Sequence, residues 1–120
     1  MALTPSPAGL IIQRMADIYI VEFVQSSILD QVQVEKIRVE LSDLVNKSGQ
    51  PKMVVSFENV TGVSSAVLGI LMSLNKAIGA KKGELRLAKV GPSIAPVFKI
   101  TKLDKILKIY ASYEDAIKKF

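Results

Sequence analysis

Residues 54–71 read VVSFENVTGVSSAVLGIL and join two segments with different apolar patterns. The run 53–57 is apolar except at Ser56, which is typical of a strand buried inside a parallel sheet. From Val67 onward, apolar residues recur three and four positions apart, which is the period of a helix. The stretch therefore predicts a buried strand, a short loop over 58–63 and a largely buried helix.

The chain before this stretch predicts a β-hairpin and an amphipathic helix. Two runs rich in Ile, Val, Tyr and Phe, 10–15 and 18–24, are separated near Asp17 and should pair antiparallel. After a polar connection, an apolar stripe with helical spacing follows. Its members are Val34, Ile37, Leu41, Leu44 and Val45. Gly49 is expected to end this helix as a left-handed cap.

The chain after the stretch predicts two strands that alternate with two helices. Residues 84–89 alternate as a strand does, and Ser93 is a suitable N-cap for a short third helix. A last strand is expected at 106–109, and a final helix from Ser112 through Phe120.

The predicted order of elements is β-β-α-β-α-β-α-β-α, and strands joined through helices should run parallel with right-handed crossovers. The fold class is therefore α/β, with a mixed sheet of about five strands and about four helices. Most of the strands should be parallel, and the N-terminal strand should be antiparallel.

The length and composition predict one globular domain. The chain has 120 residues, of which 49% are hydrophobic and 22% charged. Residues 1–9, with Pro5 and Pro7, are expected to be a flexible leader, and residues 10–120 the domain. No basic export signal is visible, and the apolar stretch 66–74 is about half a membrane span. A cytoplasmic protein without membrane insertion is expected.

The residue types that are missing exclude several classes of enzyme. The sequence contains no histidine and no cysteine, which removes the common general base, the thiol nucleophile and the common metal ligands. No pair of carboxylates has a recognisable catalytic spacing. We therefore expect no enzymatic activity, no catalytic residues, no metal and no cofactor.

The net charge of +5 does not by itself predict nucleic-acid binding. The lysines are spread along the chain, there are three arginines, and no segment interleaves aromatic residues with arginine. Solvated lysines on the surface of a protein-binding domain explain this charge.

The start of the second helix is the most informative position for function. Ligand and partner sites of parallel sheets form at the carboxyl ends of strands, and a helix N-terminus there offers free N–H groups to an anion or a phosphoserine. The segment is not a phosphate-binding P-loop, because no lysine follows Gly69 at the required spacing. From the residues alone, Ser64 and Ser65 have two interpretations, simple N-capping and a regulatory or ligand-binding role.

Four segments occur in an order that resembles a known family. They are VTGVSSAVLGIL at 60–71, GELRL at 83–87, IAPVFKITKLD at 94–104, and Ile109-Tyr110 before the serine-led terminal helix. This order resembles the STAS domain, the domain of bacterial anti-sigma factor antagonists, over about residues 10 to 120. The resemblance implies a regulator that binds an anti-sigma factor, a serine-kinase-like protein, until one serine is phosphorylated.

The family signature, Asp-Ser-Ser-Gly-Leu-Gly, can be aligned with this chain in two ways. If the helix is the anchor, Ser64 falls at the Asp, Ser65 at the first Ser and Ala66 at the phosphoacceptor Ser. If the two serines are the anchor, Ser65 becomes the acceptor, but the helix shifts by one residue. The first alignment is preferred, since the shift would rotate the apolar face by about 100°.

This alignment predicts a partner surface and the loss of the usual switch. Alanine has no hydroxyl, so Ala66 cannot be phosphorylated, and Ser65 and Ser64 remain as candidates. The partner surface should centre on the second helix, with an aspartate that resembles the one flanking the family's phosphorylation site. The predicted contact residues are Asp30, Glu58, Asn59, Ser64, Ser65, Val67 and Leu68.

Some alternatives stay open on the sequence alone. The chain could instead be a STAS subunit of a larger assembly, such as a stress-signalling scaffold or a lipid-transport ATPase complex. Self-association and a weak nucleotide contact at the Ser64 helix terminus are further alternatives, and the sequence does not identify the partner.

Overall fold

The computed structural model describes residues 5–118, which form seven strands and five helices. The strands are β1 (Leu10–Met15), β2 (Ile18–Phe23), β3 (Ser27–Ile28), β4 (Lys52–Ser56), β5 (Gly62–Val63), β6 (Glu84–Ala88) and β7 (Lys108–Tyr110). The helices are α1 (Gln31–Lys47), α2 (Ser65–Ala80), α3 (Ala95–Ile100), α4 (Leu103–Ile106) and α5 (Tyr113–Ile117).

Five of the strands form one mixed sheet in the order β1-β2-β4-β6-β7. β1 pairs antiparallel with β2, and the other three pairings are parallel. The predicted fold class is confirmed, including the antiparallel N-terminal strand. β3 and β5 form a separate parallel pair, with Ser27 opposite Gly62 and Ile28 opposite Val63.

The main core lies between the sheet and α1 and α2. Alternate residues of β4 point into it, and Met53 and Val55 are fully buried there. Phe57 lies edge-on to Phe98 of α3, with ring centroids 5.8 Å apart. The apolar stripe of α1 faces the same core, which confirms the predicted amphipathic helix. Its buried members are Val34, Ile37, Leu41 and Val45.

The opposite face of the sheet is covered in part by α5. Ala116 of this helix packs on Val54 and Ala88 in a small apolar cluster. Arg86 of β6 is 4% exposed, and its Nη1 donates to the carbonyl oxygens of Ala116 at 2.8 Å and Lys118 at 2.6 Å. A buried arginine therefore joins the central sheet to the last described helix.

A close approach of two backbones fixes a glycine after α2. A Cβ at Gly83 would lie 1.9 Å from the carbonyl oxygen of Pro51, so only glycine fits there. This contact brings the start of β6 beside the start of β4. The Glu84 N–H donates to the same Pro51 oxygen at 3.0 Å.

The predicted C-terminal boundary of α1 is wrong. The helix begins at Gln31, directly after Asp30, which caps it. Gly49 is not in the left-handed region, and Ser48 ends the helix with an extended backbone.

The prediction for residues 93–109 is also partly wrong. Ser93 is not the N-cap of α3, since Ile94 holds that position without a side-chain hydrogen bond. Ile106 belongs to the additional helix α4, so the last strand begins at Lys108. The left-handed backbone of Lys102, with φ of 61°, separates α3 from α4.

The expected leader and the final helix extend beyond the described residues. Residues 1–4 and 119–120 lie outside the described part of the chain. Within it, Ala8 is buried in the main core, and the Gly9 carbonyl accepts from the Val24 N–H at 3.0 Å.

Candidate partner-binding site

The loop after β4 is held in place by its pairing with the segment before α1. The Thr61 N–H donates to the Ser26 carbonyl at 2.7 Å, and the Ser64 N–H donates to the Ile28 carbonyl at 3.1 Å. These bonds and the β3–β5 pair tie the start of α2 to the chain just before α1. The two longest helices therefore begin side by side.

The first residues of α2 differ sharply in exposure. Ser64 is the N-cap residue, but its side chain makes no capping hydrogen bond. Its Oγ is buried and, within residues 5–118, has no hydrogen-bond partner. Ser65 and Ala66 are exposed in the first turn. Of the two candidate serines, Ser65 alone presents an accessible hydroxyl.

A cleft of about 300 Å³ lies between the starts of α1 and α2. We call it the helix-start cleft. Its lining residues are Leu29, Gln31, Val34, Glu35, Ser64, Ser65 and Ala66. It combines an exposed leucine, a carboxylate and the first turn of a long helix, whose initial N–H groups have no partner within the helix.

The charge in the cleft comes from Glu35, which is paired along α1 with Arg38. The hydrogen bond from the Arg38 guanidinium lowers the pKa of the Glu35 carboxyl, since it favours the ionised form. Both side chains are at least half exposed, so the pair remains open to an incoming partner.

Asp30 is near the cleft but does not line it. Its Oδ2 accepts from the Gln33 N–H at 3.0 Å, which makes it the side-chain cap of α1. The residue faces a separate groove beside Pro7, Gly9 and Lys36. Its capping role is therefore established, and partner contact remains a prediction.

Glu58 and Asn59 are exposed at the carboxyl end of β4 and do not line the cleft. Asn59 has a left-handed backbone with φ of 66°. A Glu58 carboxylate oxygen lies 3.9 Å from Lys89 Nζ, which joins the loops after β4 and β6. These two residues form an edge region apart from the cleft lining.

Val67 and Leu68 are not available as direct contacts. They are 1% and 7% exposed and belong to the main core. Their inclusion in the predicted surface is corrected, because the apolar face of α2 turns them toward the sheet. Their packing in the main core holds the exposed first turn of α2 in position.

Leu29 is the surface residue that the sequence interpretation missed. It is 59% exposed, whereas its neighbour Ile28 is fully buried. The sequence carried no clear signal for this exposure, because the adjoining strand β3 is only two residues long and shows no alternation.

The described part of the chain lacks two features that would suggest other functions, a metal-binding cluster and a membrane-spanning helix. Residues 5–118 hold no group of three or more Asp and Glu side chains able to bind a metal ion. No helix in that range is long and apolar enough to cross a membrane.

Comparison with known proteins gives concordant matches. The model of the STAS domain family matches residues 11–116. The anti-sigma F factor antagonist of Paenibacillus polymyxa is 25% identical over 89 residues, which are 74% of this chain and 76% of that protein.

Two solved structures share the fold. An anti-sigma-factor antagonist (STAS) domain protein from Planctomyces limnophilus has a TM-score of 0.79 at 20% identity, over 89% of this chain and 92% of that chain. The Bacillus cell fate determinant SpoIIAA in its phosphorylated form has a TM-score of 0.70 at 21% identity, over 90% and 96%. The resemblance read from the sequence is confirmed, and this chain belongs to the STAS domain family.

Proposed function

We propose that this protein is an anti-sigma factor antagonist that binds an anti-sigma factor through the helix-start cleft. The observation that carries the proposal is the exposed first turn of α2 beside exposed Leu29, in a chain similar to anti-sigma factor antagonists. The protein acts in the cytoplasm by binding, without catalysing a reaction. The partner is an anti-sigma factor of the serine-kinase type.

The composition of the cleft supports binding to a protein. Leu29 offers an apolar anchor, while Ser65 and the free N–H groups of the first turn offer polar contacts. The pair of Glu35 and Arg38 adds charge at the rim. A buried apolar centre with a polar edge is the usual arrangement of a protein interface.

We further propose that the usual phosphoserine switch is absent. In the preferred alignment the acceptor position is Ala66, which has no hydroxyl. Ser64 cannot replace it in this conformation, because its Oγ is buried. Ser65 precedes the acceptor position by one residue, so its side chain points about 100° away around the helix. The protein therefore binds its partner without a phosphorylation-dependent off state.

The decisive binding experiment uses calorimetry with the anti-sigma factor of the native host. Ser65→Asp puts a charge where the partner packs and should weaken binding at least tenfold, about 1.4 kcal/mol. Ser73→Asp is the matched control, since it adds the same charge on an exposed position of α2 about 12 Å further along the helix. Equal affinities for the two variants would refute this placement of the site.

Two further outcomes would overturn parts of this proposal, one the absence of the switch and the other the function itself. Stoichiometric phosphate on Ser65 in protein from the native host would restore the switch. Co-purification with scaffold or transporter ATPase subunits, without binding to the anti-sigma factor, would support membership of a larger assembly.

A further inference from the structure

Residues 99–106 comprise the end of α3, a two-residue turn and α4, and we call this segment the elbow. Outside the helix-start cleft, it is the most exposed segment that carries large apolar side chains. Every residue in it except Leu103 is exposed. Ile100 is 81% exposed and Ile106 50% exposed, although each carries a large apolar side chain. Neither contributes to the main core.

Two buried side chains and two hydrogen bonds hold the backbone of the elbow in place. Phe98 and Leu103 are buried on either side of its turn. Thr101 Oγ1 donates to the Val97 carbonyl at 2.8 Å, and the Lys102 N–H donates to the Lys99 carbonyl at 3.1 Å. The isoleucines are therefore held outward on a fixed backbone.

Positive charge surrounds these isoleucines. Lys99, Lys102 and Lys105 form no ion pair within residues 5–118. Asp104 is the one acidic residue in the elbow, so its net charge is three minus one, or +2. Lys108 follows directly, with its Nζ 3.6 Å from a Glu84 oxygen.

This combination fits an anionic lipid surface better than the other anionic partners. A nucleic acid would call for arginine or stacking aromatic residues, and the elbow contains neither. Lysine is a flexible point charge suited to a diffuse negative surface. An exposed apolar side chain between lysines can enter the headgroup region while the ammonium groups stay hydrated.

We propose that the elbow docks the protein peripherally on an anionic lipid bilayer, with Ile100 and Ile106 in the interface. The surface is separate from the helix-start cleft, and the inference does not depend on the identity of the cleft's partner. Binding is weak and reversible, since single peripheral signals give marginal membrane affinity.

The test is co-sedimentation of the full chain with two kinds of vesicle, phosphatidylcholine alone and a mixture of phosphatidylglycerol with phosphatidylcholine. We expect binding to the mixed vesicles only, and its loss at high salt, because salt screens exposed charges. Changing Lys99, Lys102 and Lys105 to Gln should reduce binding about tenfold or more. Ile100→Ser, and separately Ile106→Ser, should reduce it several-fold, since less apolar surface is buried.

The matched control changes Lys36, Lys47 and Lys76 to Gln. These lysines are exposed on α1 and α2, and the control removes the same net charge. It should retain most of the binding, and thermal melts should show every variant folded. Equal losses of vesicle binding in the two triple variants would show that binding depends only on net charge. That result would refute the elbow as the docking site.

Two other results would also refute the proposal. One is absence of binding to the mixed vesicles. The other is light scattering in which Ile100→Ser dissociates a self-associated form while vesicle binding is unchanged, since the elbow would then be a contact between copies of this chain.

Discussion

At the scale of single residues, the starts of α1 and α2 use their capping positions differently. Asp30 accepts a hydrogen bond from the Gln33 N–H, whereas the Ser64 side chain makes no capping hydrogen bond. A serine that caps nothing and keeps its hydroxyl buried contributes little to helix stability. Its side chain is therefore open to a role other than capping.

This difference predicts unequal effects of two alanine substitutions. Asp30→Ala should lower the free energy of unfolding by about 1 kcal/mol, since it removes a real cap. Ser64→Ala should cost clearly less, because it removes a buried hydroxyl that has no partner in the described chain. Urea denaturation of both variants measures the two values. An equal loss would mean that Ser64 does cap α2.

At the scale of elements, α2 is fixed by its apolar face. Leu71 is 1% exposed against the sheet, while its neighbour Met72 is 41% exposed. Leu71→Ala should cost about 2–5 kcal/mol by leaving a cavity, and Met72→Ala should change stability by less than about 1 kcal/mol. Thermal unfolding compares them directly, and similar melting temperatures would show that the helix face is misassigned.

Lys81, the C-cap residue of α2, joins the C-terminal ends of α1 and α2. Lys81 Nζ donates to the carbonyl oxygens of Val45 at 2.8 Å, Asn46 at 3.1 Å and Ser48 at 2.9 Å. These carbonyls lie at and just after the C-terminus of α1, where acceptors lack N–H donors of a following helical turn and a positive charge is also favourable.

Lys81→Met should therefore destabilise the protein by about 1–2 kcal/mol while keeping most of the apolar stem. Lys76→Met, at an exposed position of α2, is the control and should have little effect. Chemical denaturation gives both values. If Lys81→Met were as stable as the control, the three bonds would contribute nothing net.

The elements that the sequence predicted well are those with long, regular patterns. The α1 stripe and the apolar run of β4 extend over enough residues to identify a helix and a buried strand. β3 and β5 escaped notice because two residues are too few to show an alternation, and their pairing depends on contacts made across the fold. Ile106 was misassigned because the left-handed turn at Lys102 starts a new helix without glycine.

The strand-to-helix junction of the candidate site was predictable in position, but the orientation of its side chains was not. The strand-to-helix junction and its serines were found from spacing alone. That Ser64 turns inward and Ser65 outward depends on the β5 connection, which fixes the start of α2. The inclusion of Val67 and Leu68 as contact residues was wrong, because both lie near the start of α2 but are buried in the core.

At the scale of the whole molecule, Arg86 joins the central sheet to α5. It contacts α5 through two carbonyls, forms an ion pair with Glu84, and lies 5.4 Å from the ring centroid of Tyr110. A buried charge of this kind is costly unless its hydrogen bonds are satisfied, so the attachment of α5 to the sheet should depend on Arg86.

Arg86→Met should lower stability by about 2–4 kcal/mol and release α5 first. Hydrogen exchange should show faster exchange of amides in 113–117, while β4 amides should exchange only through global unfolding. Arg14→Met is the exposed control and should leave α5 protected. Unchanged protection of α5 in Arg86→Met would show that its apolar contacts suffice.

The same arginine has a consequence for how the chain is made. Its two carbonyl acceptors lie 30 and 32 residues further along the chain. Because the chain leaves the ribosome from its N-terminus, Arg86 is outside the exit tunnel before Ala116 and Lys118 are. A nascent chain can form the hairpin and α1 early, but it must keep the outer side of β6 hydrated until those residues arrive. The contacts of Arg86 are therefore completed only after α5 has emerged, and a chain stalled before that point would expose the outer face of β6 to proteases.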